Sequence, residues 1–205
     1  MNKSWILIAG LLACQVFCRA QQVTLDPYNG RELISNNTPN QAPDTIPTSS
    51  VVYHKSDSAT LKVSSHVVYN IDVYIDPKKW AAVRVSDTIE YKFYRAGTYE
   101  NMGMLISEQN RMSLLDMKSA VLRNASRGGP SGVRLIKEEY RNVNGRKVLF
   151  LKFTTLLGGI GFTYWGYYYS SEYGITQLLT FTPTGLSEKN EEDFEDFLNG
   201  LVIGN

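Results

Sequence analysis

Cysteine is almost missing from this chain, and its two copies, Cys14 and Cys18, both lie within residues 1–20. If that segment is removed, no disulfide, zinc-thiolate site or cysteine nucleophile is possible, and the fold must rest on its core. Histidine is nearly as scarce. His54 and His66 are the only two, and their separation matches no metal-ligand spacing. A Ser/His/Asp hydrolase would have to use one of them, and no Gly-x-Ser-x-Gly elbow presents a serine. Charge of either sign is also missing in excess, with 21 Lys and Arg against 20 Asp and Glu. That balance excludes the basic footprint of a nucleic-acid-binding protein. The apolar stretch Trp5 to Leu12 falls short of the about 20 residues a spanning helix needs.

What is present begins with an export pattern. Lys3 supplies a positive n-region, Trp5 to Leu12 an apolar stretch, and Cys18-Arg19-Ala20 small residues at the −3 and −1 positions of a cleavage site. Residues 1–20 therefore read as a signal peptide, with a periplasmic or extracellular destination. A rival reading stays open: Leu11-Leu12-Ala13-Cys14 resembles a lipobox, which would put a lipid anchor on Cys14. Cleavage after Ala20 takes Lys3 and Arg19 away, leaving 19 basic against 20 acidic residues, a net of −1. The mature chain is long enough for one core and carries no membrane-spanning segment.

Residues 21–50, rich in Asn, Gln, Thr, Ser and Pro, read as a flexible polar linker that cannot bury enough apolar surface to order itself. Residues 51–205 read as a single domain. Short β-like pieces are expected at Val51–Tyr53 and Thr60–Val63, then strands at Val68–Ile75, Ile89–Tyr94 and Met102–Ser107. A helix follows from Ser113 to Arg123. Ser113 and Asp116 make a capping-box-like start, and Gly128-Gly129-Pro130 makes the stop. Val133–Val143 and Arg146–Thr155 flank Asn144-Gly145, a type I′ hairpin signal. Phe162–Ser170 and Ile175–Thr182 complete a meander. A last helix is expected over Glu188–Leu201, N-capped by Ser187, with an apolar stripe at Phe194, Phe197, Leu198, Leu201 and Val202.

Val148-Leu149-Phe150-Leu151 selects the architecture. Neighbours in a strand point to opposite faces, yet all four are apolar, so both faces need cover. Two amphipathic helices far apart in sequence can each supply one. The expected class is α+β: a three-layer α/β/α sandwich around a mainly antiparallel sheet.

Four stretches carry a resemblance: Ile75-Asp76-Pro77-Lys78-Lys79-Trp80; the hairpin from Glu138-Glu139 to Asn144-Gly145; Gly166-Tyr167-Tyr168-Tyr169-Ser170 leading to Gly174 and Gln177-Leu178-Leu179-Thr180; and Phe197-Leu198-Asn199-Gly200-Leu201. With these, the chain resembles the PsbP-like superfamily from about Tyr69 to Ile203. That group holds an extrinsic photosystem subunit, a Ran-binding import factor and exported bacterial relatives. The resemblance implies the same α/β/α sandwich. Function does not carry over with it, because members share a scaffold while their roles differ, and those best understood are non-enzymatic and act through protein surfaces. No metal or docking site of the group maps onto residues here, and no cofactor is expected.

Other chemistry is thin. Glu138 and Glu139 fall on opposite faces of a strand and cannot form an acid/base pair. Glu191, Glu192, Asp193, Glu195 and Asp196 decorate a helix without calcium-loop spacing. Gly158-Gly159-Ile160-Gly161 leads into a strand, whereas a phosphate loop leads into a helix. The remaining feature is aromatic. Alternation puts Trp165, Tyr167 and Tyr169 on one face and Phe162, Tyr164 and Tyr168 on the other. The first three are the candidate ligand-binding residues, with a helix-covered sheet interior as the competing reading. The functional expectation is an exported, non-catalytic module that binds an envelope protein. The alternative is a small-molecule or glycan-binding domain, or a hydrolase, built on residues 162–170.

Overall fold

A computed structural model describes residues 45–86, 89–98, 100–127 and 132–204. The expected signal peptide with Cys14 and Ala20, most of the expected linker, and Gly128-Gly129-Pro130 lie outside the described residues. In chain order the strands are β1 (Thr48–Tyr53), β2 (Leu61–Ser64), β3 (Ile71–Ile75), β4 (Trp80–Arg84), β5 (Ile89–Arg95) and β6 (Met102–Glu108). Helix α1 (Leu114–Ser126) precedes β7 (Val133–Val143), β8 (Arg146–Leu157), β9 (Ile160–Ser171) and β10 (Gly174–Pro183). A 3-10 turn (Thr184–Leu186), helix α2 (Ser187–Leu198) and β11 (Leu201–Ile203) close the chain.

Eight strands form one sheet in the order β1-β7-β8-β9-β10-β6-β5-β4. All its pairs are antiparallel except β1 with β7. The β7–β8 hairpin turns on Asn144 (φ 49°) and Gly145 (φ 82°), the positive φ pair that a type I′ turn requires. The other three strands form a small sheet, β11-β3-β2.

β8 is buried on both faces, as its uninterrupted apolar run demands. Val148, Leu149, Phe150 and Leu151 all have 0% exposure. Leu149, Leu151 and Phe153 join one core with Met117, Val121 and Ala125 of α1. Val148 and Phe150 join a second core with Phe194, Phe197 and Leu198 of α2. This second face is shared, because Val63, Val73, Ile75 and Leu201 of the small sheet complete its cover beside α2. The class is α+β with a mainly antiparallel sheet.

α1 starts as its sequence indicates: the Ser113 hydroxyl accepts from the Asp116 amide at 3.1 Å and donates to the Asp116 carboxylate at 2.7 Å. The end of the chain differs from expectation in two ways. Ser187 is the first residue of α2 and not its cap, because the 3-10 turn feeds directly into the helix and Leu186 occupies the cap position. The helix also stops at Leu198. Gly200 follows, where an added Cβ would lie 2.0 Å from the Tyr74 carbonyl oxygen, and Tyr74 N–H donates to Gly200 O at 2.8 Å. Leu201 and Val202 therefore continue as a strand against Val73 and Asp72. The expected strand Val68–Ile75 shortens to β3 because Asn70 takes a left-handed turn at φ 59°. β4 was not expected at all.

Candidate functional site

The three rings singled out on β9 lie on one face of the sheet, against the same core, but do not share an exposed surface. Trp165 and Tyr167 have 0% exposure beneath α2. Trp165 meets Phe194 edge-on with centroids 5.1 Å apart, and Lys152 Nζ sits 5.1 Å from its ring. The Tyr167 hydroxyl donates to Asn199 Oδ1 at 2.7 Å and accepts from Arg141 at 3.2 Å. These two side chains are scaffold, and the competing reading of a covered sheet interior applies to them. Tyr169 alone reaches a rim.

That rim belongs to a groove of about 280 Å³ at one end of the sheet. Tyr69 and Asn70 come from the β2–β3 connection, Arg146 from the start of β8, Tyr169 and Tyr173 from the β9–β10 hairpin, and Ile203 and Gly204 from the end of β11. Tyr69 is 69% exposed and Tyr173 53%, and their rings meet edge-on with centroids 5.8 Å apart.

Each tyrosine is held from behind. The carboxylate of Glu90, 2% exposed, accepts from Ser65 Oγ at 2.8 Å and from the amides of His66 and Val67 at 2.6 and 3.2 Å. This fixes the loop that carries Tyr69, and Gly204 N–H donates to Asn70 O at 2.9 Å on the far side. Ser171 Oγ accepts from the Tyr173 amide at 3.2 Å, and Arg111 Nε donates to Glu172 O at 2.9 Å. Arg146 spans the floor, donating to Ile203 O at 3.3 Å and Gly204 O at 3.0 Å. Large aromatic area presented on a pre-ordered loop loses little conformational freedom when it is covered.

Among solved structures, the chain is similar to the cyanobacterial PsbP protein (CyanoP) of Synechocystis sp. PCC 6803. The TM-score is 0.54 at 11% identity, over 73% of this chain and 95% of that one. The chain has a PsbP-like fold. Similarity also extends to a Bacteroides thetaiotaomicron VPI-5482 structure, with a TM-score of 0.46 and 14% identity over 72% of this chain and 49% of that one. LpqN of Mycobacterium tuberculosis, described as involved in cell envelope biogenesis, gives 0.47 and 13% over 71% and 90%. No family model and no curated protein matches the sequence.

Within this PsbP-like fold lies a second polar feature, which the sequence did not flag. Arg141, on β7 and 1% exposed, has its guanidinium 3.6 Å from the Phe150 ring centroid and 4.4 Å from that of Tyr53. It pairs with Glu139 at 2.7 Å and Glu195 at 3.1 Å. Burial works against its charge, but the Tyr167 phenol and the two carboxylates outweigh burial and hold the guanidinium more firmly protonated than usual. Burial would raise the Glu139 carboxyl, yet hydrogen bonds from Arg141 and Lys137 bring it below the ordinary carboxylate range. Glu138, on the opposite face, pairs with Lys118 of α1. The network ties β1, β7 and α2 together, and its partners are internal.

The acidic flank of α2 is likewise engaged. Asp193 pairs with Lys79 at 3.0 Å and with Arg95, and Lys79 lies 3.9 Å from Asp196. A groove of about 620 Å³ at the start of α2 contains Lys152 and Glu191, paired at 2.6 Å. His66 Nε2 lies 2.9 Å from the Tyr91 hydroxyl, and His54 is exposed. Among the described residues no group of three or more His, Cys, Asp or Glu is placed to hold a metal, and no helix is long and apolar enough to cross a membrane.

Proposed function

We propose that this chain is an exported, non-catalytic accessory module that docks a protein partner of the cell envelope through the tyrosine groove. The carrying observation is the exposed Tyr69–Tyr173 pair over Arg146. Tyrosine and arginine are over-represented where protein interfaces draw most of their binding energy. The export pattern of residues 1–20 supports an envelope or extracellular setting, with N-terminal sequencing of the mature protein deciding between Ala20 and Cys14. In this reading the polar segment expected over residues 21–50 tethers the domain, although its last residues, from Thr48, belong to β1, and the two covered faces of the large sheet make a three-layer α/β/α arrangement.

The test compares affinity capture from envelope extracts by the wild-type protein and by Tyr69→Ala/Tyr173→Ala. A partner retained by the first and lost by the second supports the reading. Identical recoveries from both would remove the groove from consideration.

A further inference from the structure

The edges of the two sheets are treated unequally. β1 is irregular against β7 between Thr48 and Val52, and its Val51 amide is already engaged by Ser49 Oγ at 3.2 Å. The part of β7 beyond β1 carries Arg134, Lys137, Glu138 and Glu139, with a bulge between Leu135 and Lys137. In the small sheet β2 has four residues and includes Lys62. On β11 the carbonyls of Leu201 and Ile203 accept from Asn144 and Arg146 side chains. Charge, bulges and side-chain covers are the devices that prevent sheet edges from recruiting another strand.

β4 lacks them. It pairs with β5 in unbroken register from Trp80↔Arg95 to Arg84↔Tyr91, and it is the last strand of the eight. Val85 N–H extends the ladder to Glu90 O at 3.0 Å. Ala81, Val83 and Val85 share one face and are exposed, the two valines by 49% and 46%. Arg84 is the single charged residue from Trp80 to Val85.

We infer that β4 is a self-association edge on which a second copy of this chain adds its own β4, antiparallel about a two-fold axis. Centred on Val83, such a pairing sets Ala81 against Val85 of the copy and Ala82 against Arg84, so no like charges oppose. The apolar residues of both strands then form one continuous strip, and the two eight-stranded sheets become one. A single strand pair buries less than the about 1,200 Å² of a stable interface, so the dimer is weak, with a dissociation constant of about micromolar or above.

Sedimentation equilibrium of the mature full-length protein, from about 10 µM to about 1 mM, tests this. The expected result is a concentration-dependent dimer. Val83→Lys places two lysines face to face at the axis and weakens it by roughly tenfold or more. Val51→Lys, on the irregular edge, leaves the dimer unchanged. If Val83→Lys disturbs folding, Val85→Lys tests the same strip from its end. A wild-type protein that stays monomeric throughout overturns the inference, as does a dimer that survives both β4 substitutions or is lost with Val51→Lys.

Discussion

Replacing Trp165 by Ala separates scaffold from surface more sharply than any other single change. The ring is wholly buried, set edge-on to Phe194 and covered by Lys152. About 200 Å² of buried aromatic surface at about 25 cal/mol/Å² corresponds to about 5 kcal/mol. Measured truncations of this kind fall at about 3–5 kcal/mol, because the cavity closes only in part. With a guanidinium m-value of about 4 kcal/mol/M, the unfolding midpoint should fall by about 1 M. Far-UV circular dichroism is the suitable probe, since the substitution deletes a fluorophore. A shift below about 0.3 M would mean that Trp165 does not anchor α2 to the sheet, and the division between buried and exposed aromatics would fail.

Tyr173→Ala should move stability by no more than about 0.5 kcal/mol in the same assay, because its ring is largely in solvent. Arg141→Ala should cost about 3–5 kcal/mol, since it removes a buried guanidinium packed on Phe150 and takes one of two cationic partners from Glu139; a loss under 1 kcal/mol, measured by chemical denaturation, would contradict that. Gly200→Ala should lower the thermal midpoint by several degrees, because the new methyl group meets the Tyr74 carbonyl. Acid should also destabilise through Glu139 and Asp193. Both carboxyls titrate lower in the folded protein than their ordinary values, so their contribution is complete above the unfolded pKa and drains away as pH falls through the folded one. Glu108 and Asp196, raised by burial, work in the opposite direction. Glu139→Gln should therefore flatten the acid limb of a stability-versus-pH curve, and an unchanged slope would discount the Arg141 network.

Legibility in the sequence followed locality. The Asn144-Gly145 hairpin and the Ser113 cap are decided by residues within one turn, and both stand where their chemistry places them. The double-sided burial of Val148–Leu151 was equally readable, because an apolar residue at every strand position leaves no face for water. Leu201 and Val202 misled because their spacing continues the helical stripe. Only the close approach of Tyr74 to Gly200, a tertiary contact, breaks it. Alternation rightly grouped Trp165 with Tyr167, but it carries no information on which stretch of a strand the helix covers. The groove was out of reach for the same reason: Tyr69, Arg146, Tyr173 and Gly204 come from four separate segments, and nothing local marks them as neighbours. Arg141 gave no sign either, since a lone arginine in a strand ordinarily points to solvent.

Site-specific photo-crosslinking puts the central claim to its most direct trial. A benzophenone side chain replaces Tyr173 in cells that express the protein, and a second version carries it at Ile160, at the opposite end of β9. A discrete adduct with an envelope protein from position 173, and none from 160, is the outcome this account requires. Adducts from 160 alone, or none from 173, would contradict it.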